Sequence, residues 1–129
     1  MGYEALSTED GHGNNTAIGY RALKTLNAGA DAYNVAVGFD AGTAITTGIR
    51  NTLVGATAGD ALTTGSLNTA VGYNTLGVAT TAANNTALGG QALAVNTSGA
   101  NNTAVGMNAM VANTTGAENT AVGATAADA

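Results

Sequence analysis

A five-residue unit, Asn-Thr-Ala-Val-Gly and its close variants, recurs along the 129-residue chain with almost fixed spacing. Its leading Asn stands at Asn15, Asn34, Asn51, Asn68, Asn85, Asn102 and Asn119, one interval of 19 residues followed by five of 17. Four residues later comes a Gly, at Gly19, Gly38, Gly55, Gly72, Gly89, Gly106 and Gly123, and Gly2 holds the same place in a truncated first copy. A period of this length marks a solenoid, in which each copy is one coil that buries its apolar face only by stacking on its neighbours. The chain therefore reads as one repeat array over 1–129, with a partial copy in 1–14 and copies starting at 15, 34, 51, 68, 85, 102 and 119. The two extra residues of the long interval are expected within Ala30-Asp31-Ala32-Tyr33, as a bulged loop between coils.

The residue before each Gly is Ile18, Val37, Val54, Val71, Leu88, Val105 or Val122, never polar, and is expected to point inward. Side chains alternate along a strand, so Thr16, Val35, Thr52, Thr69, Thr86, Thr103 and Thr120 share its face. Ala17, Ala36, Leu53, Ala70, Ala87, Ala104 and Ala121 then face the other way. Such a strand can be covered on both sides, and the pattern leaves open which face meets which neighbour. The Gly that follows is expected at a corner, where positive φ or close backbone approach excludes a Cβ. A second apolar pair, as in Ala22-Leu23 or Ala92-Leu93, supplies the opposite wall, and a polar turn such as Thr46-Thr47-Gly48 closes the coil. A short helical turn in the Ala-Leu segment is the main alternative. The fold class expected is all-β, a parallel β-solenoid or β-roll of 17-residue coils. Stacking at ~4.8 Å would align the anchor residues into an Asn ladder, their amides bonded to equivalents above and below.

Composition sets the limits of the core. Aromatic residues make up 4% of the chain, with no Trp and one Phe, and Ala dominates the apolar fraction. A thin coil lined by Ala, Val and Thr buries little apolar area per chain, so association with copies of itself is expected. The net charge is -5, and Arg21, Lys24 and Arg50 give no basic patch for phosphates, which argues against nucleic acid as a partner. No apolar run is long enough to insert in a membrane, and Met1 to Leu6 lack the character of a secretory signal. Gly2 belongs to the repeat; a myristoylation signal would want Ser or Thr where Leu6 stands.

No reactive constellation is legible. Without Cys there is no thiolate or disulfide, and the redox compartment stays undetermined. His12, the sole His, reads as a solvated loop residue between Gly11 and Gly13, and the many Ser and Thr have no further His to act as base. Neither a phosphate loop, a dinucleotide fingerprint nor a calcium nonapeptide is present. No catalytic, cofactor-binding or metal-binding residue is expected, no cofactor is implied, and the chain is not read as an enzyme. The candidate surface is a stripe. The residue after each corner Gly is Tyr3, Tyr20, Phe39, Ala56, Tyr73, Gly90, Met107 or Ala124, which places four of the five aromatic residues on one line. Tyr3, Tyr20, Phe39, Tyr73 and Met107 either fill a groove between chains or stack on the sugar faces of a host glycan.

The run Asn15-Thr16-Ala17-Ile18-Gly19-Tyr20-Arg21-Ala22-Leu23 is similar to the Asn-Thr-Ala-Val-Gly-Tyr-Gln-Ala-Leu repeats of viral tail-fibre and surface proteins. The unit also resembles, more distantly, the head repeats of trimeric autotransporter adhesins. The likeness spans almost the whole chain. It implies a parallel homotrimer, a structural fibre or head segment that supports attachment, placed on a virion or at the cell surface, with a host glycan or receptor as partner. The repeat is longer than that of the adhesin heads, which bears on coil shape and handedness. Two further readings stand beside this one: an ice-binding solenoid with Thr at fixed intervals, although Val or Ile replaces the second Thr of a paired row, and a filament subunit joined through unpaired coil ends. The array stops mid-repeat at Asp128-Ala129, and continuation into a longer parent fibre is expected.

Overall fold

The computed structural model describes residues 2–9, 11 and 13–128; His12, read above as a solvated loop residue, lies outside that set. We number the coils by their corner Gly, so that Gly2 belongs to coil 1, Gly19 to coil 2 and Gly123 to coil 8.

Seven three-residue strands define the architecture: β1 Thr16–Ile18, β2 Val35–Val37, β3 Thr52–Val54, β4 Thr69–Val71, β5 Thr86–Leu88, β6 Thr103–Val105 and β7 Thr120–Val122. They form one parallel sheet in sequential order, and no helix occurs among the described residues. Each strand pairs with its equivalent one repeat away, as in Thr52↔Thr69, Leu53↔Ala70 and Val54↔Val71. The chain is a parallel β-solenoid. Strands stop at three residues because the corner Gly that follows has φ between 126° and 146° from Gly19 to Gly123, outside the range of an extended L residue. At Gly55 an added Cβ would lie 2.3 Å from the carbonyl oxygen of Gly72, so the coil below forbids a side chain independently of φ.

The structure reverses the expected faces of the strand. The central Ala17, Ala36, Leu53, Ala70, Ala87, Ala104 and Ala121 are the buried residues, and the expected inward Ile18, Val71 and Val122 are 50%, 38% and 70% exposed. The reason is volume. The inner side of the sheet faces the wall residues Leu23, Leu76, Leu93 and Met110 across a narrow interior, and only a methyl fits between. Coils 3 and 4 test this account, because their wall positions carry Gly42 and Gly59. There the larger Leu53 enters from the sheet: a Cβ at Gly42 would lie 2.8 Å from Leu53 Cδ1, and one at Gly59 would lie 3.0 Å from Leu53 Cδ2. Ile45 and Leu62 complete the filling, both fully buried.

The wall is not a helical turn. Its backbone runs through successive four-residue turns, closed for example by Lys24 N–H to Arg21 O at 3.2 Å and Leu26 N–H to Leu23 O at 3.3 Å. The third residue of the first two turns is left-handed, as at Arg21 (φ 52°) and Leu23 (φ 51°), and the pair recurs at Asn74 and Leu76, Gln91 and Leu93, and Asn108 and Met110. Other amides reach across to the next coil, Leu23 N–H to Ala41 O at 3.0 Å being typical. The long interval keeps register on both sides of its extra residues. Asn27 N–H still bonds to Thr46 O and Arg50 N–H to Ala32 O, so the insertion is confined between Asn27 and Ala32, and Ala32 and Tyr33 are already back in phase.

Candidate recognition surface

Buried polar groups set the frame on which the surface columns stand. Asn34, Asn51, Asn68, Asn85 and Asn102 are at most 1% exposed. Each uses both ends of its amide. Its oxygen accepts from the backbone N–H of the next anchor, as from Asn51 N to Asn34 Oδ1 at 2.8 Å, and its nitrogen donates to the polar turn, as from Asn51 Nδ2 to Gly65 O at 2.9 Å. Amide-to-amide bonds of the expected kind are present as well, at Asn68 to Asn51 (3.1 Å), Asn85 to Asn68 (3.3 Å) and Asn119 to Asn102 (3.2 Å). The dominant rung is side chain to backbone: it fixes the strand entry and the turn of a coil at once, and so holds the columns on either side of the corner in register. Asn96 and Asn113 form a shorter second column that replaces the apolar Leu26, Ile45 and Leu62; Asn96 binds both Gly99 N and Gly99 O.

Two exposed columns flank the corner. The outer strand face presents Thr16, Thr52, Thr69, Thr86, Thr103 and Thr120, interrupted by Val35, beside Ile18, Val37, Val54, Val71, Leu88, Val105 and Val122. No charged side chain interrupts either row. Thr residues of the closing turn are committed to the fold, their hydroxyls donating to the coil below, as from Thr46 to Thr63 O, Thr63 to Thr80 O and Thr97 to Thr114 O. The strand Thr hydroxyls take no part in such bonds among the described residues, which leaves them free toward the outside.

Past the corner, Tyr3, Tyr20 and Phe39 form a continuous ring stack, with centroids 5.4 and 5.2 Å apart and ring planes within 11° and 9°. Each ring face inside this stack is occupied by its neighbour, so only edges meet solvent there. The stack is braced by ion pairs between coils. Arg21 holds Asp40 through two bonds, Nε to Oδ1 at 2.8 Å and Nη2 to Oδ2 at 2.5 Å, and Lys24 Nζ lies 2.6 Å from Glu4 Oε2. The Arg21 guanidinium also sits 4.9 Å from the Tyr20 ring centroid. The Lys24 contact holds the Glu4 carboxyl below the usual carboxylate range, and the Asp40 contact raises Arg21. Tyr73 and Met107 occupy the same corner position further along, 63% and 59% exposed, separated from the stack and from one another by Ala56 and Gly90. The stripe is therefore continuous over three coils and broken beyond them, a division that residue identity already carries.

The scattered acidic residues read as solvated surface groups, and Asp60 in coil 4 departs from this: its Oδ1 is buried and unpartnered, and burial pushes its carboxyl above the usual range. In coils 7 and 8, Met110, Asn113, Asn119, Thr120 and Ala127 line a recess of about 400 Å³ that the sequence does not signal. Among the described residues no cluster of three or more metal-ligating side chains occurs, and no helix is long and apolar enough to cross a membrane. No protein-family model, curated protein or solved structure matches the chain.

Proposed function

We propose that this chain is a structural segment of a fibre or fibre head, in a viral tail fibre or surface adhesin, that associates in parallel with copies of itself as a trimer and supports attachment. Its place is then the virion or the outer cell surface. The observation that carries the reading is the unbroken row of Ile, Val and Leu along the outer strand face, in which Ile18, Val71 and Val122 are exposed and Val37, Val54, Leu88 and Val105 half-buried. An apolar row at identical positions in successive coils suits a partner with the same period, and a second copy has that period by construction. Modest contacts then add along the rod, which compensates for a core built from Ala and single Leu residues. Native mass spectrometry and light scattering test this. A trimer with a concentration-dependent melting point is expected; a folded monomer at micromolar concentration with a concentration-independent melting point sinks it.

One observation favours a second reading, an ice-binding solenoid. The strand Thr hydroxyls are unused by the fold and stand at ~4.8 Å intervals on an uncharged face. Its readout is thermal hysteresis, which a fibre segment lacks.

A further inference from the structure

The breaks in the aromatic stripe are regular, and we propose that they are two binding slots for the pyranose ring of a neutral sugar. Tyr3, Tyr20 and Phe39 show what the uninterrupted column looks like: one ring per coil, near parallel, at 5.2 to 5.4 Å. Coil 4 leaves out its ring at Ala56, between Phe39 and Tyr73, and coil 6 leaves out its own at Gly90, between Tyr73 and Met107. The bounding residues are among the most exposed apolar side chains of the molecule: Phe39 52%, Tyr73 63% and Met107 59%. The space is open, since a Cβ built at Gly90 would meet nothing within 4 Å.

Skipping one coil separates the bounding positions by roughly 10 Å at ~4.8 Å per coil, the height that the Tyr20 ring fills between Tyr3 and Phe39. A pyranose carries C–H bonds on both faces and presents one face to each wall of such a gap. The rims select it over a flat apolar ring. One residue past the stripe, the Arg21 guanidinium lies over the Tyr20 ring. Along the closed stack that position carries Glu4, Arg21 and Asp40, neutralised in ion pairs. Along the slots it carries Thr57, Asn74, Gln91 and Asn108, with no cation to select an acidic sugar; the exposed Gln91 and half-buried Asn74 match sugar hydroxyls, whereas the Thr57 hydroxyl donates to Ala56 O and Asn108 Oδ1 is buried.

This inference gives the attachment reading its ligand class and rests on the stripe lying at the surface of the assembly. The test is a titration of the isotope-labelled full chain with methyl β-D-glucopyranoside and methyl β-D-galactopyranoside, followed by amide shifts, with 4-methylphenol as the flat control. Saturable shifts are expected around Ala56, Tyr73, Gly90 and Met107 with a millimolar Kd for at least one glycoside. Tyr73→Ala, which removes a wall shared by both slots, should weaken binding about tenfold. Ala56→Tyr combined with Gly90→Tyr fills both gaps while removing no wall, and should abolish binding with the fold intact by circular dichroism. Unchanged binding in the filled variant, tighter binding of 4-methylphenol, or no saturable shift with either glycoside overturns the proposal. If Tyr73→Ala dissociates an oligomer that shows no glycoside shifts, the stripe is an interface: the slots are then refuted and the fibre reading survives.

Discussion

Coils 1–3 and coils 4–7 share one backbone plan but hold their layers together by different means. The first group is tied on the outside by the three-ring stack and by the Arg21–Asp40 and Lys24–Glu4 pairs. It also absorbs the irregular interval. The second group keeps strict 17-residue spacing, carries few charges, and relies on buried Asn rungs and interlocking side chains inside. Anchor Asn15 shows the contrast at one position. It is half-buried, and its Nδ2 turns to Glu9 Oε2 at 2.9 Å, whereas the equivalent nitrogen of Asn34 onward reaches a turn carbonyl. Outside contacts tolerate an irregular coil because surface side chains can adjust; internal rungs demand that every coil be the same.

The sharpest way to break this comparison uses two Gly residues with almost equal φ. Gly55 (φ 137°) has a coil beneath it, while a Cβ at the corner of coil 8, Gly123 (φ 130°), would meet only Ala126 Cβ at 3.8 Å. Gly→Ala at either carries conformational strain of about 1 to 3 kcal/mol. Gly55→Ala adds a backbone clash and should be the more destabilising by a further ~2 kcal/mol or more. Denaturant unfolding of the two variants measures the difference, and equal losses would mean that φ alone makes the corner Gly. Gly48→Ala should fall below Gly55→Ala: its Cβ would also crowd a carbonyl, Gly65 O at 2.4 Å, but Gly48 does not have the positive φ of Gly55 and its equivalent Ala82 already carries a methyl.

Interior volume comes next. Leu53→Ala should cost about 2 to 5 kcal/mol, because its side chain fills the space in front of both Gly42 and Gly59. Adding Gly59→Leu recreates the Ala70 and Leu76 arrangement of coil 5 at a position whose φ of 58° is close to the 50° of Leu76. The double variant should recover at least half of the loss in melting temperature. Failure to do so would show that coils 4 and 5 are not interchangeable in packing.

Much of this is legible in the sequence. Period, register and the corner Gly follow from spacing alone, since only in-register stacking repeats the same residue at the same depth. The faces of the strand were misread for a physical reason. Val and Ile are larger and more apolar than Ala, so burial argues for placing them inside, yet Leu23, Leu76 and Leu93 on the facing wall leave room only for methyl groups. A pairwise reading of strand centre against wall, Ala with Leu and Leu53 with Gly, contained the answer. The left-handed wall was not legible, because Leu and Met at φ near 50° run against their own preference and are held there by bonds between coils. The stripe was visible as a line, but its mutual stacking and its open gaps required geometry.

The Asn column gives a third, smaller contrast. Asn51→Ala leaves Asn68 N and Gly65 O, both in the buried interior, without their partners at 3.0 and 2.9 Å, for an expected loss of about 2 to 3 kcal/mol. Asn15→Ala should cost less, since its nitrogen serves the half-buried Glu9 carboxylate in place of a buried turn carbonyl and one backbone bond, at 2.8 Å to Asn34 N, is at stake. Comparable losses would remove the distinction between the two halves of the rod.

Asp60 gives the smallest effect and the one with a pH signature. Burial raises its carboxyl above the ordinary 3.8, the backbone N–H groups of Asp60 and Ala61 oppose that, and the nearby Asp40 charge adds to it. The folded state therefore holds the proton more tightly than the unfolded chain does. Stability from this group is fully present below about pH 3.8, falls as pH rises through the folded pKa, and stays reduced at neutral pH. Asp60→Asn removes the buried charge while keeping an oxygen for the same backbone N–H groups. It should raise the melting temperature modestly at neutral pH, with the gain vanishing as the solution is acidified through that window. A gain of the same size on both sides of the window would assign the effect to packing, and a loss at neutral pH would mean that the charged carboxylate is favoured where it stands.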